Sequence, residues 1–156
     1  MNWQDVCDDP HLQDLPYKVE LNGLGQIVMS PTSNEHGRFQ TLIAAKLLTS
    51  MEGGEVITET SIDTSDGTKV ADVSWGSETF YSKNGLVTPL PLAPEICVEI
   101  VSPGNTTAEM ASKTALYLAQ GAKEVWLCDQ DGRLTFHTSG GQVDSSVVAK
   151  GFPNAI

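Results

Sequence analysis

Positive charge is what this 156-residue chain has least of: nine Lys and Arg stand against twenty Asp and Glu, a formal net charge of −11. A surface of that sign repels a phosphate backbone unless basic residues gather locally or metal ions neutralise a site. Long apolar runs are missing too. None approaches the roughly 20 residues that a membrane-spanning helix needs, and residues 1–15 are acidic without the apolar stretch of a signal peptide. Neither secretion nor membrane insertion is expected. Cysteine is limited to Cys7, Cys97 and Cys128, an odd number with no Cys-x-x-Cys spacing. Cys97 and Cys128 lie in apolar, strand-like runs, where a free thiol acts as a small hydrophobe. A reducing cytoplasm is the expected setting, so the glycosylation-like triplet Asn105-Thr106-Thr107 carries no weight. Phosphate-cradling glycine loops, nucleophile elbows and zinc-type His/Cys clusters are absent as well. His11, His36 and His137 are scattered, with no pair at helical i, i+4 spacing.

What is present suits one ordinary domain: 40% apolar and 19% charged residues, with no repeat or low-complexity linker. Residues 1–16 read as a short capped or irregular arm ending at Pro16, and residues 17–156 as a single domain. Two short strands, 18–21 and 26–30, flank the turn Asn22-Gly23-Leu24-Gly25. A helix is predicted from Ser33 or Asn34 to about Met51, its buried stripe formed by Phe39, Leu42, Ile43, Leu47 and Met51. Gly53-Gly54 ends it. Strands follow at 55–63 and 69–75 around Ser65-Asp66-Gly67, then a short helix and a Pro-rich loop over 77–94. Residues 95–101 form a β-branched run. Thr106 and Glu109 form a capping box for a helix to about Gln120, closed by Gly121. Strands at 125–128, 134–137 and 143–149 complete the chain. The order predicts a mixed α/β (α+β) domain, with two helices flanking a sheet of five or more strands.

Two carboxylates stand out because their surroundings are apolar. Asp72 lies in Val70-Ala-Asp-Val-Ser-Trp75 and Glu99 in Ile96-Cys-Val-Glu-Ile-Val101. A charge inside such a run is costly unless it faces water, finds a partner or binds a metal. Outward alternation at a sheet edge would account for Asp72. It accounts poorly for Glu99, whose strand is apolar on both faces, as a central strand is. Two carboxylates on neighbouring strands can hold one hard cation such as Mg²⁺.

Glu20-Leu-Asn-Gly, Gln26-Ile-Val-Met-Ser-Pro31 and Glu35-His36-Gly37 come first in a longer series. Val70-Ala-Asp-Val73, Ala93-Pro-Glu-Ile-Cys-Val-Glu-Ile-Val-Ser-Pro103, Lys113-Thr-Ala-Leu-Tyr117 and Gly121-Ala-Lys-Glu-Val-Trp126 follow. In this order, over roughly residues 16–152, they resemble the Uma2 family. The resemblance implies a restriction-endonuclease-like fold of the PD-(D/E)xK nuclease superfamily: a mixed central β-sheet flanked by helices, with catalytic acids on adjacent strands. It implies metal-dependent phosphodiester hydrolysis with Mg²⁺ or Mn²⁺ and DNA as the substrate. By position, Asp72 is the acid of the "PD" element, Glu99 that of the "(D/E)x" element, and Glu20 the acid of the first motif, completing or orienting the metal shell.

Two residues depart from the superfamily pattern. Ala71 replaces the proline before Asp72, and Val101 replaces the lysine expected two residues after Glu99. In Uma2-like sequences a lysine on the following helix takes that role; here it is Lys113, which would position or help deprotonate the attacking water. Spacing alone offers another reading. Glu109 and Lys113 are i, i+4 and could form a surface pair, and Lys113 lies opposite a small-residue face of Ala108, Ala111, Ala115, Leu118 and Ala122. His36 is an accessory candidate for water or phosphate contact, or a helix-capping or surface histidine. Glu59 could supplement the acids but has no motif behind it. Trp75 and Trp126 read as core. The resemblance also implies another strand or helix beyond Gly151-Phe152, so an end at Ile156 reads as shortened and as leaving an incomplete edge. An exposed edge would suit a homodimer. A second function stands beside the nuclease: a catalytically weak or inactive fold relative serving as a binding or assembly module, which the acidic charge and the displaced lysine favour.

Overall fold

Glycine and proline punctuation divides the chain into twelve elements in the computed structural model, which describes residues 1–156. Asn2 opens α1 (Trp3–Asp8) with a capping box, its side chain accepting from the Asp5 amide while the Asp5 carboxylate accepts from the Asn2 amide. The strands β1 (Tyr17–Leu21) and β2 (Ile27–Pro31) pair as an antiparallel hairpin that forms a sheet of its own. Ser33 caps α2 (Asn34–Ser50), accepting from the His36 amide at 3.0 Å. Then come β3 (Glu55–Thr64), β4 (Gly67–Gly76), α3 (Glu78–Asn84), β5 (Ile96–Ile100), α4 (Thr107–Ala119), β6 (Glu124–Cys128), β7 (Leu134–Thr138) and β8 (Gly141–Val143).

The last six strands form one sheet in chain order, antiparallel throughout except for β5 and β6. Those two are parallel, which requires a crossover, and α4 provides it. On one face α2 lays Phe39, Ile43 and Leu47 over Val73, Trp75, Val98 and Ile100, joined by Trp126, Phe136 and Phe152. A smaller cluster on the other face gathers Ile62, Ala71, Leu90, Cys97, Tyr117 and Val125. All five residues of β5 are buried, as its two-sided apolar run requires. Cys97 and Cys128 are buried free thiols, and Trp75 and Trp126 belong to the core.

Two irregularities create the site. The β4–β5 ladder runs through Val73↔Val98, Ser74↔Cys97 and Trp75↔Ile96 and then stops. The strands fork where Asp72 and Glu99 would pair next, and the Ile100 amide donates to Asp72 Oδ2 at 2.7 Å. On the other side of β4, Thr58↔Val73 and Thr60↔Ala71 pair while Glu59, at φ 53°, skips its partner Asp72. Such a backbone costs on the order of 1–3 kcal/mol. Gln40 compensates in part, donating to the Asp72 carbonyl at 2.9 Å and to Glu59 at 2.6 Å.

The β1–β2 hairpin docks on β4 and its turn. Gly67, at φ 78°, leaves no room for a Cβ against the Asn22 carbonyl. The Gly23 amide donates to Asp66, and Lys69 Nζ donates to the Leu21 carbonyl and to Asp66.

Three expectations from the sequence need correction. The inward stripe of α2 is His36, Phe39, Ile43 and Leu47, whereas Leu42 is exposed and Met51 half-buried. Helix α4 turns Met110, Thr114 and Tyr117 inward and leaves Ala108, Ala111 and Ala115 in solvent; the larger side chains remove more area from water. The last strand stops at Val143, because the Glu124 carboxylate, not a neighbouring strand, takes the Val147 and Val148 amides and the Ser146 hydroxyl.

Candidate active site

Alternation along β1 puts Lys18 and Glu20 on one face, and that face meets the fork between β4 and β5. Lys18 Nζ lies 2.8 Å from Asp72 Oδ1 and 3.2 Å from Glu99 Oε2, so one ammonium joins acids from adjacent strands. From α4, Lys113 Nζ donates to Glu20 Oε1 at 2.8 Å and reaches Glu99 Oε2 at 3.2 Å. One helical turn on, the Tyr117 hydroxyl donates to Glu99 Oε1 at 2.7 Å. The Val70 amide donates to Glu20 Oε1 at 2.7 Å. From the first turn of α2, His36 Nε2 stands 3.2 Å from Asp72 Oδ1.

Burial decides how these groups behave. Asp72 is fully inside the protein. That burial opposes its ionisation, but Lys18, His36 and the Ile100 amide overcome it and hold the carboxyl well below the usual carboxylate range. For Glu99 burial prevails over Lys113 and Lys18 and pushes its pKa up. Asp72 is therefore the firm anion of the pair, and Glu99 the acid that takes a proton first. Burial pulls Lys18 toward the neutral amine, yet Glu99, Asp72 and Glu20 hold it charged above the ordinary lysine range. His36 is raised chiefly by its hydrogen bond to Asp72. Burial and the adjacent Glu99 drive the Tyr117 hydroxyl far upward, so it stays a donor.

Asp72 and Glu99 line a cavity of about 40 Å³, room for a few waters or a single ion. Its rim includes Ser30, Thr32, Ser102 and Asn105. Residues 29–33 and 102–105 also border a wider groove of about 520 Å³.

The family model described as "Putative restriction endonuclease" matches residues 9–151. The chain belongs to the Uma2 family. A crystal structure described as a "putative nuclease belonging to DUF820", from Anabaena variabilis, superposes with a TM-score of 0.69 at 16% identity. It covers 84% of this chain and 83% of that one. That likeness speaks for the fold, which is restriction-endonuclease-like. No curated protein sequence matches the chain.

All five residues singled out in this Uma2 sequence meet: Asp72, Glu99, Glu20 and Lys113 in the fork, His36 against Asp72. The surface pair between Glu109 and Lys113 does not form, since Glu109 accepts from the Thr106 amide in the capping box. Glu59 comes to the same neighbourhood, with ligand atoms of His36, Glu59 and Asp72 within 4.8 Å of one another. Lys18, Tyr117 and Gln40 were missed. Spacing held a signal for each: Lys18 is i−2 from Glu20 on a strand, and Tyr117 is i+4 from Lys113 on a helix. Gln40 is likewise i+4 from His36 on α2.

The donor set suits a divalent cation. Asp72 and Glu99 offer hard carboxylate oxygens, as Mg²⁺ and Mn²⁺ prefer, and both already turn toward one positive charge.

Proposed function

We propose that this protein is a metal-dependent endonuclease that hydrolyses phosphodiester bonds in DNA. The observation that carries the reading is the convergence of Asp72 and Glu99, from adjacent strands, on one cation position. Asp72 and Glu99 would hold Mg²⁺ or Mn²⁺, which supplies Lewis acidity toward the phosphoryl oxygen and lowers the pKa of a bound water. Glu20, fixed by the Val70 amide, keeps the Lys113 ammonium at the cavity. Lys113 orients the attacking water through its N–H donors. Tyr117 steadies Glu99, and His36 steadies Asp72. Hydrolysis forms one P–O bond from water and breaks another, and the water's proton ends on the leaving oxygen. The groove along residues 29–33 and 102–105 is the approach for the strand.

The alternative, a catalytically weak relative acting as a binding or assembly module, has its own support. Lys18, Lys69 and Lys113 have largely covered side chains held in ion pairs, leaving six exposed Lys and Arg. Only four of the twenty acids are buried, so the net charge left on the surface is strongly negative and repels a polyanion. Cleavage of plasmid and single-stranded DNA with Mg²⁺ or Mn²⁺ separates the two. Loss in both Asp72→Asn and Lys113→Ala supports the nuclease with the displaced lysine. Loss in Asp72→Asn alone returns Lys113 to a structural part. No cleavage by the folded, metal-bound wild type favours the module. A cytoplasmic setting and a homodimer through an outer strand, β3 or β8, belong to the same reading; light scattering tests the dimer.

A further inference from the structure

We infer that Lys18 is an internal stand-in for the metal: its ammonium occupies the cation position between Asp72 and Glu99 in the metal-free protein and leaves when the ion binds. This rests on the nuclease reading of the site. Lys18 is the one cation that touches both metal-holding acids, at 2.8 and 3.2 Å, whereas Lys113 touches Glu99 and Glu20. The Lys18 side chain is 8% exposed and sealed in by the acids it serves. The cavity of about 40 Å³ lies beside the ammonium, so an ion that enters it competes with Lys18 for the oxygens of Asp72 and Glu99 rather than for space.

A divalent ion in the place of the Lys18 ammonium sets two positive charges against Asp72 and Glu99 where Lys18 sets one. Lysine suits the exchange, being a compact charge on a flexible stem. Ser30, Thr32 and Asn105 at the rim give the released ammonium polar company. Lys18 therefore keeps the acids assembled without metal and sets the affinity with which metal enters. Its role toward the reaction is that of a positioning residue.

Two measurements on the full chain test this. Calorimetric titration with Mn²⁺ should show Lys18→Met binding at least 10-fold more tightly than wild type, since no ammonium has to be displaced. Equal or weaker binding overturns the inference and leaves the nuclease reading standing. Failure of both proteins to bind Mn²⁺ overturns the two together. The second measurement uses wild type alone and does not depend on the variant folding. Acetylation of lysines, read by mass spectrometry, should find Lys18 protected in EDTA and labelled several-fold faster in saturating Mn²⁺, with Lys69 as the unchanged reference. Protection of Lys18 that persists in the Mn²⁺-saturated protein shows that the ammonium stays, and overturns the exchange.

Discussion

Replacing Asp72 by Asn removes one charge from the most buried acid of the chain and should destabilise the fold as well as the site. Asp72 accepts three hydrogen bonds, from Lys18 and His36 on Oδ1 and from the Ile100 amide on Oδ2. Asn has one acceptor oxygen and an amide that donates, so at least one buried donor is left without a partner. The larger loss is electrostatic: Lys18, 8% exposed, keeps only Glu99 as a direct partner. Breaking a buried ion pair by removing one member costs about 3–5 kcal/mol. For a chain of this length that lowers Tm by roughly 10 °C. Urea unfolding followed by tryptophan fluorescence, in EDTA, measures it. Adding Lys18→Met to Asp72→Asn removes the stranded ammonium, so the double variant should lose at least about 1 kcal/mol less than the sum of the single losses. An Asp72→Asn protein within about 0.5 kcal/mol of wild type, or strictly additive losses, would refute this account of the fork. Nuclease assays on Asp72→Asn therefore belong at a temperature where the variant is folded.

Tyr117→Phe deletes the hydroxyl that donates to Glu99 at 2.7 Å in a fully buried place; it should cost about 1.5–3 kcal/mol in urea unfolding, and a neutral result would deny the bond. The buried Glu124 carboxylate accepts from the Trp126 indole, the Ser146 hydroxyl and the Val147 and Val148 amides. Glu124→Gln turns a donor toward the indole or hydroxyl side and should cost about 1–3 kcal/mol, with faster proteolysis of residues 144–150. The folded-state pKa of His36 lies above its ordinary 6.5 because of the bond to Asp72. In EDTA the stability it contributes is fully present below pH 6.5 and is lost as pH rises through the folded value. His36→Gln should remove that pH-dependent part of the urea midpoint, and an unchanged slope would assign it elsewhere.

The sequence disclosed the fold wherever local chemistry and tertiary packing agreed. Ser65-Asp66-Gly67 marked the β3–β4 turn, the Thr106–Glu109 box marked the start of α4, and the two-sided apolar run at 96–100 marked a central strand. It failed where one distant side chain outbid the local pattern. Residues 143–149 read as a strand, yet Glu124, twenty or more positions away, takes the donors of Ser146, Val147 and Val148. The α4 alanines form a plausible buried face by periodicity, but the fork demands Lys113 and Tyr117 on the inside. At the site the acids were legible because charge inside apolar strands is costly. Lys18 was not, since a lysine two residues before a glutamate looks like any polar strand surface until the hairpin folds onto β4.

That hairpin has a further consequence. Lys18 and Glu20 reside in a two-stranded sheet separate from the six-stranded one, and an isolated hairpin of this size is at best marginal in water. Its hold on the body runs through the Val70 amide, Lys69, Asp66 and the site acids. Residues 17–31 thus form a unit that can detach while the main sheet stays intact, at a free energy below that of global unfolding. Lys18 and Glu20 leave with it, so the constellation exists only in the docked fraction of molecules. Slow amide exchange in β5 and β6 beside faster exchange in β1 and β2 is the expected signature. Substitutions at Asp66 or Gly67, which form no hydrogen bond with the acids of the fork, would then silence the site in a protein that still looks folded.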